Sequence, residues 1–187
     1  MHARNKRVMK QLKEFAIKFV GLKIGEHCFE YTISNSFFEH FEYNEFNETD
    51  VKVKVVLNKK TTLLEFSLNA SGSVNVNCDL TNEPFNQEVS NAFDLVVKFG
   101  DEYNDENEEI LIIPHGEYEI NIAQYIYELV VLSVPSKRIH PGVTDGTLKS
   151  DILKKLEELS PKSENDKNDS EDIDPRWNTL KKLLTDK

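Results

Sequence analysis

The sequence predicts an α+β fold led by an antiparallel sheet or open barrel, built from about six to eight strands and two or three helices, with a tethered C-terminal helix. Three observations carry this expectation. Apolar and polar residues alternate with a period of two through residues 12–113. The period becomes helical after residue 119, and a polar, acid-rich stretch then separates the last fourteen residues from the rest.

In chain order, LKEFAIKFVGLKI (12–24) alternates through Phe15, Ile17 and Phe19, a strand signal. Gly25-Glu26 reads as a turn into a returning strand, HCFEYTIS (27–34). NSFFEHFEYNEF (35–46) is rich in aromatic rings and is expected to form a short helix covering a sheet edge. VKVKVVL (51–57), LLEFSLNASG (63–72) and SVNVNCDL (73–80) read as three antiparallel strands, the last two divided at Ser71-Gly72. Pro84 opens another extended run to Phe99, and the loop 101–109 separates it from EILIIP (109–114).

The helical part begins after Gly116. Ile120, Ile122, Ile126, Leu129 and Val130 fit one face of a helix over about 120–132, starting near Glu119 or Asn121 and stopped by Pro135. A second helix is expected over 147–159, with Leu148, Ile152, Leu153 and Leu156 on one face. Residues 160–173 are too polar to bury a core and are expected to be disordered. The final segment, DPRWNTLKKLLTDK, has an N-cap in Asp174, a first-turn proline in Pro175, and Trp177, Leu180, Leu183 and Leu184 on one face. The expected organisation is a β-rich domain (1–159), an acidic linker (160–173) and a docking helix (174–187).

Composition narrows the function. Two distant cysteines, Cys28 and Cys78, argue against a disulfide framework. The start MHARNKRVMKQLK lacks the apolar run of a secretory signal, and no stretch approaches the ~18 apolar residues of a membrane span. A cytoplasmic protein with reduced thiols and no membrane partner is expected. The net charge of −10 is segregated. Residues 101–109 carry six acids and no base, and 160–174 carry six acids against Lys162 and Lys167, so the remainder is near neutral. Such arms suit a basic partner.

No catalytic set can be assembled. His2, His27, His40, His115 and His140 do not pair at metal-ligand spacing, and no Cys-x-x-Cys, glycine-rich phosphate loop or Gly-x-Ser-x-Gly elbow occurs. A non-enzyme is expected, with no metal, no cofactor and no small-molecule substrate. Lys10, Lys13, Lys137 and Arg138, together with Arg176, are the candidate contacts to RNA phosphate.

Several motifs fall in a recognisable order. Cys78-Asp79-Leu80-Thr81 ends a strand, Pro84-Phe85 opens the next, and the acidic loop follows. Glu128, the apolar run Leu129 to Val134, Pro135 and His140 come next, and Asp174-Pro175-Arg176 with Leu180 and Leu183 closes the chain. This pattern resembles the YceD family of large ribosomal RNA subunit accumulation proteins. The family's first turn resembles Cys-x-Arg-Cys; here Leu80 stands for the arginine and Thr81 for the second cysteine. Cys78 is therefore expected to be a reduced, buried thiol in a hairpin. The resemblance implies a role in accumulation of 23S ribosomal RNA and assembly of the large subunit. It implies non-catalytic binding of ribosomal RNA or a large-subunit ribosomal protein, with the Asp174–Leu184 helix as the docking element. The alternatives are an RNA-processing hydrolase in the same pathway and an unrelated protein-interaction module.

Overall fold

Alternation in the sequence becomes alternation in burial. In β3 (Glu48–Lys59), Val51, Val53, Val55 and Leu57 are buried, while Lys52 and Lys54 between them are exposed. The structure, a computed structural model, describes residues 12–107, 109–148 and 151–159. The expectations for Lys10, for the linker 160–173 and for the segment 174–187 lie outside the described residues.

The other strands are β1 (Ala16–Lys18), β2 (Gly25–Ile33), β4 (Leu63–Asn77), β5 (Pro84–Gly100), β6 (Ile110–Pro114) and β7 (Glu119–Asn121). Five of them form one sheet in the order β2-β3-β4-β5-β6, and β1 pairs with β7 in a second, two-stranded sheet. Among the described residues, all strand pairings are antiparallel except β5–β6, which is parallel with Val96 opposite Ile110. The sheet is open, not closed into a barrel. The helices are α1 (Asn35–Glu39), α2 (Ala123–Val131), α3 (Pro141–Thr144) and α4 (Asp151–Leu159). The fold is thus α+β and mostly antiparallel, as the period of two requires.

The inner face of the sheet meets α2. Leu64, Phe66 and Leu68 of β4, Leu95 and Val97 of β5, and Ile126, Leu129 and Val130 of α2 share one buried cluster. Each such side chain taken from water stabilises by roughly 1.5–3 kcal/mol. The outer face carries small polar and charged residues, among them Ser67, which donates to Asp94 at 2.6 Å.

Several expectations need correction. LKEFAIKFVGLKI is not one strand: Lys13–Phe15 form a 3-10 turn, and only Ala16–Lys18 are extended. The chain then bends back, and Lys59 Nζ donates to the carbonyls of Phe19 and Leu22, both at 2.8 Å. This segment pairs with β7, not with the following strand. Ile120 accordingly belongs to β7, opposite Ile17, and α2 starts at Ala123, whose N–H is capped by Asn121 Oδ1 at 2.9 Å. Neither is there a break at Ser71-Gly72, since β4 runs through it. A Cβ at Gly72 would collide with the Asp50 carbonyl oxygen, so the glycine lets β3 and β4 stay paired at close approach.

The chain divides into two compact units, residues 1–149 and 150–187. In the second, α4 carries an Asp151–Lys154 ion pair at 3.3 Å in its first turn. No helix among the described residues is long and apolar enough to cross a membrane.

Candidate functional site

The turn between β4 and β5 is closed locally by two backbone bonds. Cys78 N–H donates to the Glu83 carbonyl at 2.9 Å, and Asn82 N–H to the Cys78 carbonyl at 2.8 Å. Asn82 takes a left-handed conformation (φ 59°), which asparagine tolerates better than most residues. The outer side of this turn is then fastened to the loop that follows α2. Asp79 N–H donates to the Arg138 carbonyl at 2.8 Å, and Arg138 N–H returns a bond to Asp79 Oδ2 at 2.7 Å. His140 N–H donates to Cys78 Sγ at 3.3 Å, and the His140 ring stands edge-on to Phe85 with centroids 5.5 Å apart. His140 Nδ1 accepts from Gly142 N–H at 2.9 Å, capping α3.

Arg138 ties in a third segment. Its Nε reaches Asp79 Oδ1 at 3.3 Å and a terminal guanidinium nitrogen reaches Glu45 Oε2 at 3.0 Å. Burial works to lower its pKa, but the hydrogen bond it donates to Glu45 and the charge of Asp79 outweigh it, and the guanidinium is held more firmly charged. The cation read from sequence as a phosphate contact is therefore already engaged by two carboxylates. Lys137 beside it is exposed, as is Lys13 in the 3-10 turn ahead of β1.

Cys78 is 2% exposed and Thr81 4%. Burial alone would push the thiol pKa up. The Thr81 hydroxyl and the N–H groups of His140, Leu80 and Thr81 point their donors at the sulfur and bring it below its ordinary value. Thr81, itself buried, is thus one of the partners that tune the Cys78 thiol. Cys28, on β2, is also a free thiol but is exposed.

The structure therefore brings Cys78, Phe85, Arg138 and His140 into one junction. Pro84 and Pro135 sit exposed at the entries to its two arms. Sequence reasoning missed Asp79 and Glu45 as the partners of Arg138. Asp79 lay inside the quoted turn, but Glu45 is 93 residues from Arg138 and carries no local signal. It also missed a polar cleft lined by Asn47, Glu48, Asn75, Asn77 and Pro84. There Asn47 Nδ2 donates to Asn75 Oδ1 at 3.0 Å and to Asn77 Oδ1 at 2.9 Å. Among the described residues, no group of three histidine, cysteine or acidic side chains could hold a metal ion.

A family model described as "Large ribosomal RNA subunit accumulation protein YceD" matches residues 66–184. No curated protein and no solved structure matches the chain. The matched span contains both arms of the junction and begins after Glu45.

Proposed function

Since the chain belongs to the YceD family of large ribosomal RNA subunit accumulation proteins, we propose that it supports accumulation of 23S ribosomal RNA in the cytoplasm, and hence large-subunit assembly, by binding and not by catalysis. The observation that carries the second half is how the junction uses its reactive groups. Cys78 is buried, Arg138 is paired with two carboxylates, and His140 Nδ1 is occupied by Gly142 N–H. At the junction, these three groups are engaged in holding chain segments together.

In this reading the β-rich domain is a platform and the segment 174–187 is the element that docks. Asp174, Pro175 and Arg176 start it, and Trp177, Leu180, Leu183 and Leu184 form its contact face. Isolated helices shorter than ~12–15 residues are marginal in water, so such a segment gains order on docking. The acidic linker and loop favour a basic large-subunit ribosomal protein as the partner. Direct contact with ribosomal RNA would fall to Lys10, Lys13 and Lys137. The test is deletion of residues 174–187, read by co-sedimentation with large-subunit precursors. Association should be lost while the β-rich domain stays folded, and Trp177→Ala should do most of the same damage. Full co-sedimentation of the truncated protein would overturn the docking role.

A further inference from the structure

The two edges of the five-stranded sheet are finished differently. β6 is five residues long and ends in Pro114. Its outer edge is occupied, since Asn104 N–H donates to the Ile112 carbonyl at 3.0 Å and Ile112 N–H to the Asn104 carbonyl at 2.8 Å. β2, at the other edge, runs nine residues (GEHCFEYTI) without a proline or a lysine, two usual guards of an open edge. The bonds that close the neighbouring hairpins fix which of its backbone groups are free. Lys60 N–H donates to the Leu63 carbonyl and Cys78 N–H to the Glu83 carbonyl, so even-numbered residues of β3 bond to β4 and odd-numbered ones to β2. His27, Phe29 and Tyr31 of β2, opposite Leu57, Val55 and Val53, are thereby bonded to β3. Glu26, Cys28, Glu30 and Thr32 aim their N–H and C=O outward. Their side chains are exposed, and among the described residues no hydrogen bond reaches these backbone groups.

We infer that β2 pairs with β2 of a second copy of this chain, antiparallel about a two-fold axis at Phe29, so that two five-stranded sheets become one. The strand's own sequence selects this occupant. A continuous sheet keeps both inner faces on one side, so the numbers of facing residues must differ by an even number. Among such registers, one uses all nine residues of the strand. It sets Gly25 opposite Ile33, Glu26 opposite Thr32, His27 opposite Tyr31, Cys28 opposite Glu30, and Phe29 opposite its own counterpart. No acid faces an acid. Sliding two residues one way sets Glu26 against Glu30, and two residues the other way sets Glu30 against its counterpart. Both slides also shorten the ladder. In the favoured register the outward N–H and C=O groups of Glu26, Cys28, Glu30 and Thr32 meet their complements. His27, Phe29 and Tyr31, partly buried on the inner face, fall in the closer, non-hydrogen-bonded pairs, ring beside ring. One patch thus contacts itself, as a two-fold dimer requires. Pairing of this kind needs nothing from the ribosomal role proposed above.

Sedimentation equilibrium of the full chain over a wide range of concentration should show a reversible monomer–dimer equilibrium. Glu30→Pro removes one outward N–H and leaves the ladder to β3 intact, because an open edge tolerates proline. It should raise the dimer dissociation constant about tenfold or more. Cys28→Glu sets a new acid against Glu30 on both sides of the axis and should weaken the dimer several-fold, whereas Cys28→Lys should strengthen it. Melting curves recorded beside the affinities separate a folding defect from a lost contact, and the Cys28 pair carries the test if Glu30→Pro does not fold. Mild oxidation then reads the register. Residues opposite each other in a hydrogen-bonded pair have Cα atoms about 5.5 Å apart, within reach of a disulfide. Glu30→Cys should therefore give a covalent dimer through Cys28 and the new thiol. The parent chain, and Glu30→Cys combined with Cys28→Ser, should give none. A parent chain that stays monomeric would overturn the inference, as would a dimer indifferent to these substitutions or one that answers Cys28→Glu and Cys28→Lys alike. A covalent dimer of the parent chain or of the double variant would place the contact in another register and overturn it as well.

Discussion

The turn at the head of β5 (78–83) and the loop beyond its end (101–109) are both polar and acidic, yet they are held in different ways. Among the described residues, several of the loop's hydrogen bonds are local or go to the adjoining strand. Asn104 Oδ1 accepts from Glu106 N–H at 2.9 Å, Asn107 Oδ1 from Glu109 N–H at 3.0 Å, and Asn104 bridges Ile112 of β6. The turn sends its bonds 59 and 62 residues along the chain, to Arg138 and His140. These loop bonds satisfy backbone groups locally, while the turn also satisfies its backbone by joining another segment. Similar composition therefore gives a joint in one place and a charged fringe in the other. The difference lies in whether a second chain segment meets the unpaired N–H and C=O groups.

That contrast can be broken most forcefully at Phe85, which is 7% exposed and packs on His140. Phe85→Ala should cost about 3–5 kcal/mol, read from urea midpoints at unchanged slope. A cost near that of a surface change would mean the joint is not continuous with the core. Arg138→Ala should cost less, about 1–2 kcal/mol, because its ion pairs are partly exposed. Combined with Asp79→Ala, it should show a coupling of about 0.5–1 kcal/mol, and strict additivity would dissolve the joint into independent contacts.

Cys78→Ala should lower stability by roughly 1 kcal/mol through lost packing and lost sulfur hydrogen bonds. In the native protein an alkylating reagent should modify Cys28 quickly and Cys78 only as fast as the chain opens. Equal labelling rates would contradict the burial of Cys78.

The fringe makes a weaker, pH-dependent mark. Burial raises the Tyr125 pKa, and the charges of Tyr103, Glu128 and Asp105 add to it. Above pH ~10, the ordinary tyrosine value, the unfolded state loses this proton first and so binds fewer protons than the folded state. Stability must then fall as pH rises, and Tyr125→Phe should lessen the slope. An unchanged alkaline limb would show that Tyr125 is not shielded. Smallest of all, Asp101→Asn with Glu102→Gln should move stability at neutral pH by no more than about 0.5 kcal/mol. A larger loss would make the loop a structural element after all.

Much of the sheet was legible because one face is buried and the other open, so β3, β4 and β5 print a period of two directly into the sequence. Residues Ile120 and Ile122 fit that period and the helical one equally, and only pairing with Ile17 decides that Ile120 is in a strand. Gly72 looked like punctuation because glycine usually marks turns; its actual role is set by the Asp50 carbonyl of the neighbouring strand. At the junction, Cys78, Phe85 and His140 could be picked out as motif residues. That they touch, and that Arg138 is paired with Asp79 and Glu45, depends on contacts across 55 to 93 residues that no local pattern encodes.

The pairing of β1 with β7 has a consequence in time. Ile17 faces Ile120, about a hundred residues downstream. At roughly 5–20 residues per second, a ribosome takes on the order of 5–20 s to synthesise that interval. Throughout it, the apolar residues of β1 wait without their strand, while β2, β3 and β4 can already pair with their sequence neighbours. Of the described strands, β1 is therefore among the last to be fixed, and until β7 is made its apolar residues are open to chaperones and proteases.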